Sequence, residues 1–324
     1  MQAVILAGGF GTRLRPLTYT IPKPLLPLAG EPMVKRLIDA MPEVVDEVIL
    51  TVGYMAEMVE EFFKEHDVGK SITVVREEEP LGTGGAVKNV EKYVDDVFLV
   101  FNADVVSSLN TKEIVAYHCK KSPLATVSLF SVEDPTAFGM VNLDENGRIL
   151  SFVEKPKREE VTSHLINAGT YVLDTDVLDY IPPKRMVSLE REVYPHLLET
   201  ERGMCGFPFS GFWTDAGTLE NYLKAQHFFI AKMGIECCAH STATILGRVE
   251  RNVYLGREVY VGKRAKVSNS AVLEHVSIGE GAEIEGCIIG PGAVIKPNTF
   301  IKDCIIGEGA KMEGTHVGER YGYR

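Results

Sequence analysis

At 324 residues the chain exceeds the usual single-domain range, and with hydrophobic residues at 45% and charged residues at 24% it has the composition of an ordinary soluble globular protein of one large or two unequal domains. A formal charge of -11 excludes a general affinity for nucleic acid, whose phosphates demand a basic face, and no apolar run approaches the length of a membrane span. Six cysteines (Cys119, Cys205, Cys237, Cys238, Cys287 and Cys304) include no CxxC pair and are too sparse for a disulfide scaffold, so they read as buried free thiols.

The opening MQAVILAGGF is apolar but has neither a basic leader nor a small-residue cleavage site. It predicts a first strand, not a signal peptide, and a cytoplasmic protein. To about Asp134 apolar runs then alternate with amphipathic ones, the pattern of strands joined by crossover helices. Strands are predicted at Ala3 to Ala7, Glu47 to Val52, Ile72 to Glu77, Val97 to Asp104 and Ala125 to Val132. A helix is predicted from Met55 to His66, with Met55, Met58, Val59, Phe62 and Phe63 forming a core-facing stripe. In such an α/β sheet ligands bind beyond the carboxyl ends of strands, where the opening glycines and Asp104 both fall.

From Phe138 the segments become short and extended: GMVNLD, a turn at Glu145 to Gly147, ILSFVEKP, and then INAGTYVLD. They predict a hairpin, a linker and a further strand that extend the sheet towards a substrate. Helices resume near Leu189 to Leu198 and Leu219 to Met233. Beyond about Met233 a short repeat takes over, with IGEGA at Ile278, IGPGA at Ile289 and IGEGA at Ile306, and the related YLGREV at Tyr254 and YVGKRA at Tyr260. Spacings that are multiples of six, or one short, resemble the hexapeptide-repeat family of left-handed β-helices. Inward Ile or Val, Gly or Asn at corners, and small residues such as Ala282 and Ala293 would stack into roughly five coils. The predicted domains are therefore 1-232, a Rossmann-like mixed sheet with helices, and 233-324, the β-helix.

The stretch LAGGFGTRLRPLT, Leu6 to Thr18, is neither a dinucleotide fingerprint nor a P-loop, since Leu14 stands where a third glycine would be needed and no GK[ST] follows. A glycine-rich turn with Arg13 and a downstream Lys23 suits a triphosphate, held by backbone N–H groups and cations. Together with IPKPLLPLAGEPM, EEPLGTGGA, NADV, FGMV, FVEKP, NAGTYVLD and FWTDAGT, the stretch resembles the signature of sugar nucleotidyltransferases. The run EEPLGTGGA, FVEKPK, INAGTYVLD, SLEREVYP and GFWTDAGTLENYL looks most like the mannose-1-phosphate guanylyltransferases within that family. Uridylyl and thymidylyl transferases acting on glucose 1-phosphate share most of these motifs.

The resemblance implies an enzyme in which a sugar 1-phosphate attacks an NTP and pyrophosphate departs, most simply GTP and mannose 1-phosphate giving GDP-mannose. It implies a nucleotide site of Leu6, Ala7, Gly8, Gly9, Gly11, Thr12, Arg13, Lys23, Glu79, Gly82 and Thr83, in which Arg13 meets the β and γ phosphates and Lys23 the triphosphate near its α-phosphorus. Arg15 is divided between a phosphate contact and a solvated loop. Asp104 and Asp215 are the implied Mg²⁺ ligands, an ion that takes one or two carboxylates plus substrate phosphates. Gly139, Glu154, Lys155 and Asn167 form the implied sugar-phosphate site. Neighbouring residues on a strand face opposite ways, so Glu154 and Lys155 can share a ligand only if the strand ends there, as Pro156 suggests. Glu79 is the candidate reader of guanine N1–H and N2–H. Two further readings compete: a non-catalytic nucleotide-sugar sensor, and an acyltransferase tail using His240, His275 or His316. The β-helix, with its open edges, is read as the surface of a homo-oligomer.

Overall fold

The computed structural model describes residues 1–322. The chain folds as two compact units, one made of Met1–Gly9 and Leu37–Trp213, the other of Phe10–Arg36 with the chain from Thr214 onward.

The first unit is built on a nine-stranded sheet. Its strands are β1 (Gln2–Leu6), β2 (Glu47–Val52), β3 (Ser71–Arg76), β4 (Val97–Asn102), β5 (Ala125–Ser131), β6 (Gly139–Leu143), β7 (Ile149–Glu154), β8 (Leu165–Asp174) and β9 (Met204–Pro208). The order β4-β1-β2-β3 is parallel throughout. Such strands are covered on both faces and read as near-continuous apolar runs, as VFLVFN of β4 does. The ten-residue β8 pairs antiparallel with β5 along one edge and with β4 and β6 along the other, and this makes the sheet mixed. β7 is the hairpin partner of β6, and β9 adds in parallel to β5.

Each predicted strand is present within a residue or two, and β4 stops at Asn102, leaving Asp104 in the turn beyond it. The predicted stripe on the first helix needs correction. That helix, α1 (Ala56–Glu65), begins after Met55, buries only Ala56 and Val59 completely, and leaves Met58 exposed and Phe62 and Phe63 half-buried. It packs on β3, the edge strand, which offers little sheet to cover. Where one helix was expected from Leu189, a π turn (Leu189–Val193) precedes α4 (Tyr194–Leu198); between them and α1 lie α2 (Gly82–Asn89) and α3 (Thr111–Lys121). All six cysteines are free, but only Cys205, Cys287 and Cys304 are buried, and Cys119 is exposed on α3.

The second unit holds α5 (Leu219–Lys232) and three stacked parallel sheets of six, five and five short strands, a three-sided β-helix. Strand partners lie 17 residues apart in the regular coils (Ser277 with Val294, Val294 with Lys311). One hexapeptide in three is therefore a residue short. Leu255, Val261, Val267, Val272, Ile278, Ile284, Ile289, Ile295, Ile301 and Ile306 follow that count, and all are buried on the axis. The two glycines of IGEGA do different work. A Cβ at Gly279 would lie 2.5 Å from Pro297 N on the next coil, whereas Gly281 takes a left-handed φ of 69° at a corner. The same corner falls on Arg264 and Asn298 one coil away on either side.

Phe10–Arg36 packs on this scaffold. A Cβ on Gly307 would meet Pro16 Cγ at 3.0 Å, Tyr222 Oη donates to Pro27 O, and Arg36 donates to Leu28 O and Ala29 O with its guanidinium over the Phe229 ring.

In α3, His118 is buried with Nδ1 2.9 Å from Thr126 Oγ1, and burial lowers its pKa from 6.5 to about 4. A depressed histidine pKa means that the unfolded chain takes up the proton first. Stability is intact above pH 6.5 and declines as pH falls towards 4, by at most about 1.4 kcal/mol per unit from this group. His118→Gln should flatten the fall of Tm across that interval, and an unchanged slope by thermal denaturation would contradict the assignment.

Candidate active site

In the first unit β1 and β4 run side by side, with Leu6 opposite Asn102, and the chain just beyond is tied by Ala103 N–H donating to Leu6 O at 3.1 Å. Two parallel strands in register end together. The glycine loop that starts at Ala7 and the turn that carries Asp104 therefore leave from neighbouring strand ends, on the edge where α/β sheets hold ligands. Asp104 is half-buried there.

Gly8 is pressed against Glu77. A Cβ on Gly8 would lie 3.0 Å from both Glu77 carboxylate oxygens, so the glycine lets a side chain come close to backbone. Glu77 stays in the sheet ladder, its N–H donating to Val52 O at 2.9 Å, while its Oε2 accepts from Leu81 N–H at 3.3 Å. Burial raises its pKa above the ordinary carboxylate value, more than the hydrogen bonds from Leu81 and Thr51 lower it. Glu79, the residue singled out from sequence, stands exposed in the following loop.

The LGTGGA glycines have a packing role that sequence reading missed. A Cβ on Gly82 would fall 2.6 Å from Val187 O, and one on Gly85 2.5 Å from Arg185 O. Backbone hydrogen bonds follow from that approach: Gly84 N–H donates to Val187 O at 2.8 Å, and Val187 N–H to Leu81 O at 2.9 Å. Thr83 Oγ1 accepts from Leu189 N–H at 2.9 Å and donates to Glu190 Oε2 at 2.8 Å. Gly82 and Thr83 are thus bound to the segment that leads into the π turn.

The four sugar-site candidates lie on or at the end of adjacent strands, for Asn167 follows Ile166, which pairs with Met140, the residue after Gly139. A Cβ on Gly139 would meet Glu154 Oε2 at 3.0 Å, so these two face each other across the β6–β7 hairpin. β7 ends at Glu154, and Lys155 takes a left-handed φ of 54°, the break in alternation that lets adjacent side chains turn the same way. Burial raises the Glu154 pKa, and the negative charge of Glu190 raises it further. Asn167 lies in β8, where its Oδ1 accepts from Gly169 N–H at 3.0 Å and its Nδ2 donates to Tyr171 Oη at 2.9 Å.

In the second unit Gly11 holds φ 60° at the start of the turn Thr12–Leu14, where a Cβ would crowd Thr18 Cγ2 at 2.9 Å and Lys23 Cβ at 3.2 Å. Thr12 and Arg13 are exposed, Lys23 and Arg15 half-buried. Arg15 lies over the Tyr19 ring, 4.8 Å from its centre. Arg13 and Asp215, 202 residues apart in the chain, form an ion pair at 3.5 Å. The guanidinium rests on the backbone of Gly217, where a Cβ would lie 2.3 Å from Nη2. Asp215 Oδ1 accepts from Asn221 Nδ2, which fixes the carboxylate from its other side.

The β-helix histidines are engaged locally. His275 is a left-handed corner residue paired with Glu258 at 3.2 Å, His316 pairs with Glu319 at 2.8 Å, and His240 bonds Thr242 in a turn. Among the described residues, no group of three or more His, Cys, Asp or Glu side chains is arranged for a metal, and no helix is long and apolar enough to cross a membrane.

Comparison with known proteins gives a consistent result. Residues 2–232 match the family model described as Nucleotidyl transferase, and residues 234–319 match the GMPPB C-terminal domain. A mannose-1-phosphate guanylyltransferase of Mycobacterium tuberculosis is 37% identical over 306 residues, covering 93% of this chain and 83% of the relative. A probable mannose-1-phosphate guanylyltransferase 1 of Oryza sativa is 35% identical, covering 94% and 85%. Among solved structures, HddC from Yersinia pseudotuberculosis complexed with GMP-PN has 30% identity and a TM-score of 0.61, covering 70% of this chain and 99% of that one.

The raised pKa of Glu77 makes its ionisation a cost borne by the folded chain at pH above that pKa and absent below the ordinary carboxylate range. Glu77→Gln should raise Tm by about 1–3 °C near pH 7, and the gain should vanish in acid. A variant less stable at neutral pH would show that the charge, not its burial, dominates.

Proposed function

Because the chain belongs to the nucleotidyl transferase family and carries the GMPPB C-terminal domain, we propose that it joins GTP to mannose 1-phosphate, forming GDP-mannose and pyrophosphate. The observation that carries the proposal is the Arg13–Asp215 ion pair, which joins the two separate motifs to which we assign the phosphate cation and one metal carboxylate. In this reaction a phosphate oxygen of the sugar attacks the α-phosphorus in line, the bond to the β-phosphate bridging oxygen breaks, and pyrophosphate takes the electron pair. No protein nucleophile is required. The chain must align two polyanions and neutralise charge on the leaving group.

Arg13 serves the β and γ phosphates, and its seat on Gly217 supports a fixed approach. Lys23 serves the triphosphate nearer the α-phosphorus, and Gly8, Gly9, Gly11 and Thr12 offer backbone donors. We place the base-reading carboxylate at Glu77 in preference to Glu79, since a half-buried carboxylate beside the glycine loop gains from the two N–H donors of guanine what burial takes away. Uracil and thymine present acceptors at O2 and O4 and gain less. Lys155 meets the sugar phosphate; Glu154 accepts from sugar hydroxyls, with Asn167 and the Gly139 backbone beside it.

Asp104 and Asp215 are hard oxygen donors, a set that suits Mg²⁺ completed by phosphate oxygens and water. When bound, that ion supplies neutralisation of phosphate charge. The role of the protein is to hold the two carboxylates, Asp104 at a strand end and Asp215 between Arg13 and Asn221. We further propose a cytoplasmic homo-oligomer assembled through the β-helix, where Tyr260 and Val294 stand exposed on one sheet face.

The decisive assay is pyrophosphate release across pairs of GTP, UTP, dTTP and ATP with mannose 1-phosphate and glucose 1-phosphate. GTP with mannose 1-phosphate should be the best pair; turnover confined to UTP or dTTP would overturn the guanine assignment. Asp104→Asn should lower kcat by about a hundredfold or more at unchanged Tm. Gly217→Ala should displace only the flexible end of Arg13, so activity should fall while Tm holds, and full activity would remove Arg13 from the phosphate site.

A further inference from the structure

One carboxylate at the sugar end is assigned no role by the motifs. Glu190 sits in the π turn Leu189–Val193, a backbone form that recurs at functional sites because it turns one side chain out of helical register. Thr83 Oγ1 at 2.8 Å and Ser188 Oγ at 2.7 Å both donate to its Oε2. Among the described residues no donor reaches Oε1. The turn packs against β7, the strand that ends in Glu154, and Tyr194 at the start of α4 makes edge contact with Phe152 of that strand at 5.3 Å.

The turn that carries Glu190 packs on the strand that ends in Glu154, and a hydroxyl donating to either carboxylate there would relieve the repulsion between the two. A second observation points the same way. Tyr194 Oη is completely buried, its ring 6.1 Å from that of Tyr171, and no hydrogen-bond partner lies within bonding distance. An orphaned hydroxyl is a cost that an occupied pocket can remove by drawing a carboxylate or a water onto it.

We infer that Glu190 is a further specificity-determining residue, whose Oε1 accepts a hydrogen bond from a hydroxyl of the hexose 1-phosphate beside Glu154 while Oε2 stays bound to Thr83 and Ser188. The inference rests on the sugar site of the proposed function. It also gives the Thr83 contact a meaning: the loop expected near the nucleotide and the acceptor at the sugar share one hydrogen bond.

The test is steady-state kinetics of the full chain with separate KM values for the nucleotide and the sugar 1-phosphate. Glu190→Gln should raise KM for the sugar 1-phosphate by about tenfold or more and leave that of the nucleotide within about twofold. Among monodeoxy analogues of the sugar 1-phosphate, one should erase the difference between wild type and variant, because it lacks the hydroxyl that Glu190 holds. If Glu190→Gln fails to fold, Glu190→Asp, a methylene shorter, should give the same split. An unchanged sugar KM, a parallel rise in both KM values, or an equal penalty on every analogue would overturn the inference while the parent reading stands. A wild type inert with every substrate pair overturns the parent reading and this one with it.

Discussion

The pairing of Leu6 with Asn102 is the constraint on which the chemistry of the first unit depends. Two parallel strands that stop at the same level deliver two loops to one edge without further machinery. The left loop is rich in glycine, and the right turn carries an aspartate. The Ala103 N–H bond to Leu6 O continues the register past the strand ends, and β8 pairs with β4 on its other side. A one-residue slip would send the side chains of β1 to the opposite face and separate the loops.

Much of this was legible in the sequence because the signals are local. Apolar runs mark the strands, and glycine clusters mark where they stop. Arg13 and Asp215 were named from separate motifs, and the fold pairs them. What was not legible depends on partners distant in the chain. Nothing within EEE tells Glu77 from Glu79; the difference is that the ladder with β2 extends one residue beyond Arg76, and only Glu77 is held under Gly8. The LGTGGA glycines resemble a ligand cradle, yet their lost side chains make room for Val187 and Arg185, a hundred residues on. Glu190 falls in a stretch that reads as an ordinary helix from Leu189, and the π turn that sets it apart leaves no mark in the hydrophobic period.

The β-helix shows the reverse situation, since a repeat announces itself. The 17-residue coil follows from its strand registers, and the shortened hexapeptide explains spacings that were otherwise one residue off. Its corners explain residues that would attract functional attention. His275 stands where Gly292 stands one coil on, at a left-handed corner, and needs no catalytic role to account for it.

The grouping of Phe10–Arg36 with the chain from Thr214 onward has a consequence for the order of synthesis. At ordinary translation rates the 177 intervening residues take roughly ten to forty seconds to emerge. During that interval Pro16 lacks Gly307, Pro27 lacks the Tyr222 hydroxyl, and Arg13 lacks Asp215. The glycine-rich stretch is thus among the first parts of the chain to be made and among the last to gain its native contacts, and a ribosome that stalls within the β-helix leaves a finished sheet beside an unfinished loop.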